Sequence, residues 1–323
     1  MKLVTFRDKT GDHVGALVDK DTNIIDLKVA AKSKELKTDY FKDMLTLIEG
    51  GDVALDLART AEKHGITTGS GLIKKADVNI LAPVPRPLAV RDYPCFEEHM
   101  KGTNAKMIKE MIQMAPQNAE ALKMFFEFGE SLWYKRPPVC KWNPLNVVGP
   151  DTDILWPSYA QMLDYELEFG LFIGKKGKDI ERSKAMEYVF GYTVFNDFTA
   201  RDECARELFL LMGLGRGKDF DTSEAMGPCI VTADSFNPYT ANMIVRVNGE
   251  ERGRNNSSTM YWKFEDLIVH YSQSQTLYPG EFFGSGTCGK GAGIEIGQLL
   301  KPGDVVELEV EGIGILRNRI VKP

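Results

Sequence analysis

The chain has 323 residues, 43% of them hydrophobic and 27% charged, which excludes a disordered chain and leaves room for two unequal domains with cores of their own. Its 40 basic residues against 46 acidic ones give a net charge of -6, and no basic cluster is long enough to track a phosphate backbone, so nucleic acid is excluded as a partner. No apolar run approaches a membrane span, and the opening MKLVTFRDKTGDH lacks the apolar centre of a signal peptide; a cytoplasmic protein with no membrane contact is expected.

Residues 2–26 read as short strands broken by DKTGD and DKDTN, and residues 40–49 and 52–64 carry helical spacing of Leu, Ile and Ala. Together they predict a small N-terminal α/β domain over residues 1–82. The alternating prolines of APVPRP, residues 82–87, favour an extended connection, and the main domain is expected over residues 83–323. In RDYPCFEEHMKG, Pro94 suits a first helical position and Glu97 and Glu98 a first turn, with His99 an exposed helical histidine by default. Residues 103–132 continue in helical spacing. Their methionines (Met107, Met111, Met114, Met124) read as core filler, and whether this segment forms a lid stays open.

Beyond residue 160 strands dominate. Asn248-Gly249 predicts a type I′ hairpin, and YPGE and KPGD read as Pro-Gly turns leading into strands. Helices do not recur at the spacing of a βαβ array, so the fold class is α+β and strand-rich. The segment LDYELEFGLFIG alternates as a strand, with Tyr165, Leu167, Phe169, Leu171 and Ile173 on one face and Glu166, Glu168 and Gly170 on the other. Two explanations of the paired glutamates stand open: a solvated outer face, or a hard divalent cation shared between carboxylates. Asp197 in VFGYTVFNDFTARD offers a third oxygen, although Asp197 or Thr199 also suits a helix N-cap.

FFGSGTCGKG, residues 282–291, matches a dinucleotide fingerprint and most of a P-loop, but Gly291 replaces the Ser or Thr that a P-loop needs, and no convincing helix follows. A tight loop remains, whose backbone amides, Gly286 among them, and whose Thr287 hydroxyl would hold a carboxylate. Arg201 and Lys218 are candidate counter-charges, each an ordinary surface cation when taken alone. The five cysteines form no CxxC and are odd in number, which suits reduced, buried thiols.

LDYELEFGLFIGKKGKDI, VFGYTVFNDFTARD, GKDFDTSEAMGP, VNGE, YPGEFFGSGT and LKPGDVVELEVEGIG, in this order, resemble the fumarylacetoacetate hydrolase family from about residue 83 to the end. The leading segment is similar to the variable N-terminal domain that many members carry. The resemblance implies a mixed β-sandwich roll, a homodimer, and a substrate among 2-oxo or 1,3-diketo acids. It implies a divalent metal, Mg2+ with Mn2+ or Ca2+ as alternatives, on Glu166, Glu168 and Asp197. It makes His99 the base, Lys218 and Arg201 substrate-contacting cations, Lys218 catalytic as well, and Gly286 and Thr287 part of a substrate-holding loop. Small members place a glutamate three residues after the histidine. Here Gly102 occupies that position, so Glu98 or a residue distant in sequence must orient His99, and Cys204 stands where a substrate-contacting glutamine is usual. The expected activity is hydrolysis of a carbon-carbon bond in an acylpyruvate-like or other β-diketo acid. The alternatives are oxaloacetate decarboxylation, dehydration of a 2-keto-3-deoxy acid, or a non-catalytic metabolite-binding protein with a structural metal.

Overall fold

Alternating apolar residues and the DKTGD and DKDTN turns produce the opening strands as read. Lys2–Asp8, Gly11–Val18 and Asn23–Asp26 pair antiparallel in succession. The computed structural model describes residues 1–209 and 213–322. Lys2–Asp8 also pairs with Glu224–Thr232, so the first strands continue into a 12-stranded sheet whose next members are Val189–Asp197, Leu167–Ile173, Glu281–Gly284, Ala89–Asp92 and Cys140–Trp142. A 5-stranded sheet holds Asn242–Val247, Glu250–Asn256, Val305–Val310, Gly314–Val321 and Asp153–Leu155. Asn248 and Gly249 take φ of 54° and 80°, as a type I′ turn requires. The result is a mixed fold of helices and large sheets, strand-rich as the expected α+β class requires.

Strand periodicity divides the large sheet into two faces. Leu167, Phe169, Leu171 and Val194 pack with Val245, Leu308 and Leu316 of the smaller sheet. The opposite face, with Val90, Phe172, Phe195, Met226 and Phe282, packs with Leu47, Ile48, Ala54, Ala58 and Ala61 from the helices Met44–Glu49 and Gly51–Thr68. Both faces are therefore covered, which is why the central strands are buried along their whole length.

The helical expectation for residues 103–132 resolves into Glu97–Met114 and Ala119–Trp133, joined by a 3-10 turn at Pro116–Asn118. The first helix starts at Glu97, not at Pro94; Phe96 is its N-cap residue. Trp133 Nε1 donates to the Pro94 carbonyl at 2.7 Å and Trp262 Nε1 to the Trp133 carbonyl at 3.2 Å, which ties the end of this helix pair to the body. Met111 is buried, but Met124 is 68% exposed beside exposed Phe125 and Phe128, so the core-filler expectation fails for Met124. The side chain of Met114 lies outside the described residues. After the glycine loop, where strand and turn were expected, Gly293–Ile296 makes a single helical turn.

Candidate metal centre and active site

Parity along the strands gathers the acids. Glu168 is four residues from Phe172, Asp197 two from Phe195, and Asp92 two from Val90, so all three carboxylates share the face those apolar residues occupy, at one end of the sheet. One oxygen from each lies within 4.8 Å of the others, and all three residues are buried. Among the described residues, Glu168 Oε2 and Asp197 Oδ1 have no hydrogen-bond partner. Gly284 makes the approach possible, because a Cβ there would sit 2.4 Å from Asp92 Oδ1 and 3.4 Å from Glu168 Oε2. Crowded carboxylates with unpartnered oxygens, in space kept free of side chains, fit a hard divalent cation with oxygen ligands.

Electrostatics agree with that fit. Burial pushes the Asp197 carboxyl up to about 8, against the pull of Lys218 and with Glu166 and Asp92 adding to the rise. Burial, then Asp92 and Asp197, raise Glu168 well above the usual carboxylate range, and burial raises Asp92. Glu166 behaves oppositely: burial acts to raise it, yet Lys218, Arg201 and His99 outweigh burial and hold it at about 2.

Of the residues expected as ligands, the structure brings Glu168 and Asp197 together and sets Glu166 beside them. Glu166 Oε1 lies 2.7 Å from Arg201 Nη2, and its Oε2 accepts from Lys218 Nζ at 2.7 Å. Asp92 takes the third place in the group. It ends the four-residue strand of LAVRDYP just as Asp197 ends VFND, and that shared position was the available signal. Neither glutamate is on a solvated face: Glu166 is 5% and Glu168 0% exposed. Asp197 is no N-cap either; its backbone carbonyl accepts from Thr199 Oγ1 at 2.9 Å while its carboxylate faces the acidic group.

The cations are not surface charges. Lys218, buried in the short helix Gly215–Lys218, stands 2.6 Å from Asp197 Oδ2 as well as pairing with Glu166, with its Nζ 5.6 Å from the centre of the Trp142 ring. Arg201 Nε donates to Asp164 Oδ2 at 2.8 Å while its Nη2 faces Glu166. Both guanidinium and ammonium are thus engaged by the protein's own acids. The glycine loop behaves the same way. Gly286 N donates to Asp92 Oδ1 at 3.1 Å and Thr287 Oγ1 to Glu168 Oε1 at 3.1 Å, so the loop holds carboxylates of this chain.

His99 is 9% exposed, and its Nδ1 lies 2.9 Å from Glu295 Oε2. That contact makes Nδ1 the N–H donor and leaves Nε2 3.9 Å from Glu166 Oε1 and 3.5 Å from Thr103 Oγ1. Glu295 is itself fixed by the Lys290 and Ala292 amides at 3.0 and 3.1 Å. Glu98 does not orient His99: neighbouring residues on a helix point about 100° apart, and its carboxylate instead accepts from Asn255 Nδ2 at 3.2 Å. Sequence offered no signal for Glu295, which lies 196 residues from His99 on the one-turn helix. All five cysteines are free, and burial pushes Cys140, Cys204 and Cys229 up to about 12, which removes thiolate nucleophiles at those positions.

Relatives carry the same architecture. The fumarylacetoacetate (FAA) hydrolase C-terminal family matches residues 104–321. The human protein named oxaloacetate tautomerase FAHD2A, mitochondrial, is 32% identical over 329 residues, covering 99% of this chain and 92% of that protein; the rat protein named oxaloacetate tautomerase Fahd2a is 34% identical over 87% of this chain and 80% of its own length. Among solved structures, fumarylacetoacetate hydrolase from Exiguobacterium antarcticum superposes with a TM-score of 0.74 at 26% identity, covering 100% of both chains. Maleylpyruvate hydrolase from Sphingobium sp. SYK-6, solved in complex with manganese(II) and pyruvate, shares the fold with a TM-score of 0.71 at 22% identity, covering 100% of this chain and 99% of that one. With two-thirds of its length matched and its strand-borne acids gathered as described, the chain belongs to the fumarylacetoacetate hydrolase family.

Proposed function

We propose that this protein is a divalent-metal-dependent enzyme that moves a proton between carbon and oxygen of a 2-oxo acid, with oxaloacetate as substrate. The observation that carries this reading is the buried His99–Glu295 pair, whose free nitrogen faces the side of the acidic group. The tautomerase relatives, alike over nearly the whole chain, support the substrate.

Asp92, Glu168 and Asp197 would hold the ion, Mg2+ first with Mn2+ or Ca2+ as alternatives. When bound, it supplies Lewis acidity that draws electron density from a chelating 2-oxo carbonyl. His99 Nε2 takes a proton from the methylene between the keto carbon and the far carboxylate. The released pair forms the carbon-carbon double bond, the carbonyl pair moves onto oxygen, a solvent water protonates that oxygen to complete the enol, and the imidazolium returns its proton to the hydroxide left behind; the reverse path returns the keto acid. Glu295 holds the ring in one tautomer and offsets the charge of the imidazolium that forms. Lys218 and Arg201 keep Glu166 ionised and fixed beside Nε2.

A second reading is the expected hydrolysis of an acylpyruvate-like acid, and the same pair favours it. His99 Nε2 would deprotonate a water that attacks the far carbonyl, and the pair of the broken carbon-carbon bond would leave on the pyruvate methylene, which then takes a proton. Decarboxylation and dehydration, the other expected activities, need the metal more than an acid-base dyad, and the Glu295 contact with His99 favours the two proton-transfer readings over them. The five free thiols suit a reducing compartment, the cytoplasm or the mitochondrial matrix. A homodimer belongs to this reading, and light scattering would check it.

The test follows the ultraviolet absorbance of enol-oxaloacetate and of an acylpyruvate panel with Mg2+ or Mn2+, assaying pyruvate and carbon dioxide. Rapid loss of the oxaloacetate enol without either product supports the tautomerase. Pyruvate from an acylpyruvate supports the hydrolase. Silence across the panel from metal-loaded protein would remove the enzymatic reading.

A further inference from the structure

Glu224 is a fourth carboxylate on the same face of the sheet. It lies two residues from Met226, whose side chain joins Phe195 and Phe172 in the core on that face, and it is the direct partner of Asp197 in the ladder between Glu224–Thr232 and Val189–Asp197. Side chains directly opposite in an antiparallel pair have Cβ atoms roughly 4.5–5.5 Å apart. Glu224, Asp197 and Glu168 therefore stand on three successive strands, all completely buried. The other environment of Glu224 is poor: among the described residues its Oε1 has only a long 3.4 Å contact from Ser223 Oγ, and its Oε2 has no partner. A buried carboxyl left without partners destabilises the fold, so something that binds at the centre is the natural counterpart for this atom.

Charge accounting points the same way. Among the described residues, six buried acids (Asp92, Asp164, Glu166, Glu168, Asp197, Glu224) lie around two cations, buried Lys218 and partly buried Arg201. Those cations are spent on Asp164, Glu166 and Asp197, and neither reaches Glu224. Glu224 also stands outside the group whose oxygens lie within 4.8 Å of one another, which sets it one step back from the ion.

We propose that Glu224 belongs to the metal centre as an outer carboxylate, accepting a hydrogen bond from water carried by the cation and thereby raising the affinity for it. Hard divalent ions retain part of their water shell, and partners in this second position typically govern affinity by 10-fold to 100-fold. This inference rests on the metal-dependent reading above, and metal binding by the unaltered protein tests that reading separately.

The experiment measures Mn2+ binding to the full chain by the electron paramagnetic resonance signal of free Mn2+, with melting temperatures recorded in chelator and in Mn2+. Glu224→Gln keeps the shape and removes the charge; Glu224→Met removes the polar group altogether. Both should bind Mn2+ about 10- to 100-fold more weakly, while their metal-free melting temperatures equal or exceed that of the unaltered protein. Wild-type Mn2+ affinity in Glu224→Gln overturns the proposal, as does a drop in metal-free melting temperature in both variants without loss of affinity, which would make Glu224 a packing residue. If the unaltered protein itself binds no Mn2+, the metal reading fails first.

Discussion

His99 Nδ1 and Glu295 Oε2 meet at 2.9 Å, while Glu98, the acid next to His99 in the chain, turns away to Asn255. Substituting the two glutamates therefore has unequal consequences. Glu295→Gln is expected to lower kcat by roughly 100-fold or more with little change in KM, because a positioned acid-base group contributes about 100- to 10,000-fold. Glu98→Gln should retain most activity. Steady-state kinetics of both variants checks this, and equal losses would remove the dyad from the mechanism.

Asp92→Asn tests the member of the acidic group that sequence did not reveal. Removing one of three gathered carboxylates should abolish measurable Mn2+ binding and with it the stabilisation by metal. For the unaltered protein that stabilisation is expected to be about 2.7 kcal/mol at a free ion concentration 100 times Kd. Thermal melts with and without Mn2+ supply the comparison; an undiminished metal-induced shift in the variant would count against the assignment.

Proton release should accompany metal uptake. Asp197 has a folded value of about 8 against an ordinary 3.8, so between those values the folded, metal-free protein holds a proton that the unfolded chain has lost. Its contribution to stability consequently falls as pH rises through this window. Metal-free protein should melt at lower temperature near about pH 8 than near about pH 5, and Mn2+ should bind more tightly at the higher pH because it replaces the proton. Glu166 acts in the opposite sense, its stabilisation being present above its ordinary 4.5 and lost as pH falls through about 2. Calorimetric titration in buffers of different ionisation enthalpy would count the released protons.

Arg201 forks across Asp164 and Glu166, and a lysine cannot span both. Arg201→Met should destabilise the fold by about 3–5 kcal/mol, the usual consequence of stranding a buried charge. Arg201→Lys should fall between the variant and the unaltered protein. Urea denaturation resolves the order, and a neutral Arg201→Met would refute the importance of the pair.

Gly286 adopts φ of 71° with its missing Cβ only 2.1 Å from the Tyr93 carbonyl oxygen. Gly286→Ala must therefore shift the loop and break the amide donation to Asp92. A left-handed backbone alone costs an alanine about 1–2 kcal/mol, and weaker Mn2+ binding should accompany the lower melting temperature. A variant that melts lower yet binds Mn2+ normally would separate the loop from the centre.

Sequence exposed the parts of this site that follow from periodicity. Glu168 stands in an alternating strand, so its face could be read directly, as could the Asn248-Gly249 turn, whereas Asp197 closes an apolar run and was legible only as an available third oxygen. Asp92 escaped because its strand has four residues and follows a proline-rich stretch, too short to show alternation. Glu295 escaped because a single helical turn leaves no pattern, and its pairing with His99 exists only after the chain has folded back. Glu224 sits in DTSEAMGP, where local composition suggests a loop, whereas pairing on both sides makes it a strand. Thr287 and Gly286 were found, but the direction of their hydrogen bonds depends on which acid arrives beside them, and local sequence does not carry that information.

The ladder between Lys2–Asp8 and Glu224–Thr232 has a consequence for anyone seeking a smaller protein. Its pairs Lys2↔Val231 and Leu3↔Ile230 cover one flank of the strand that also carries Glu224. A truncated chain beginning at residue 83 would leave that flank as a bare sheet edge, a template for strand addition by other molecules, and its expected fate is aggregation.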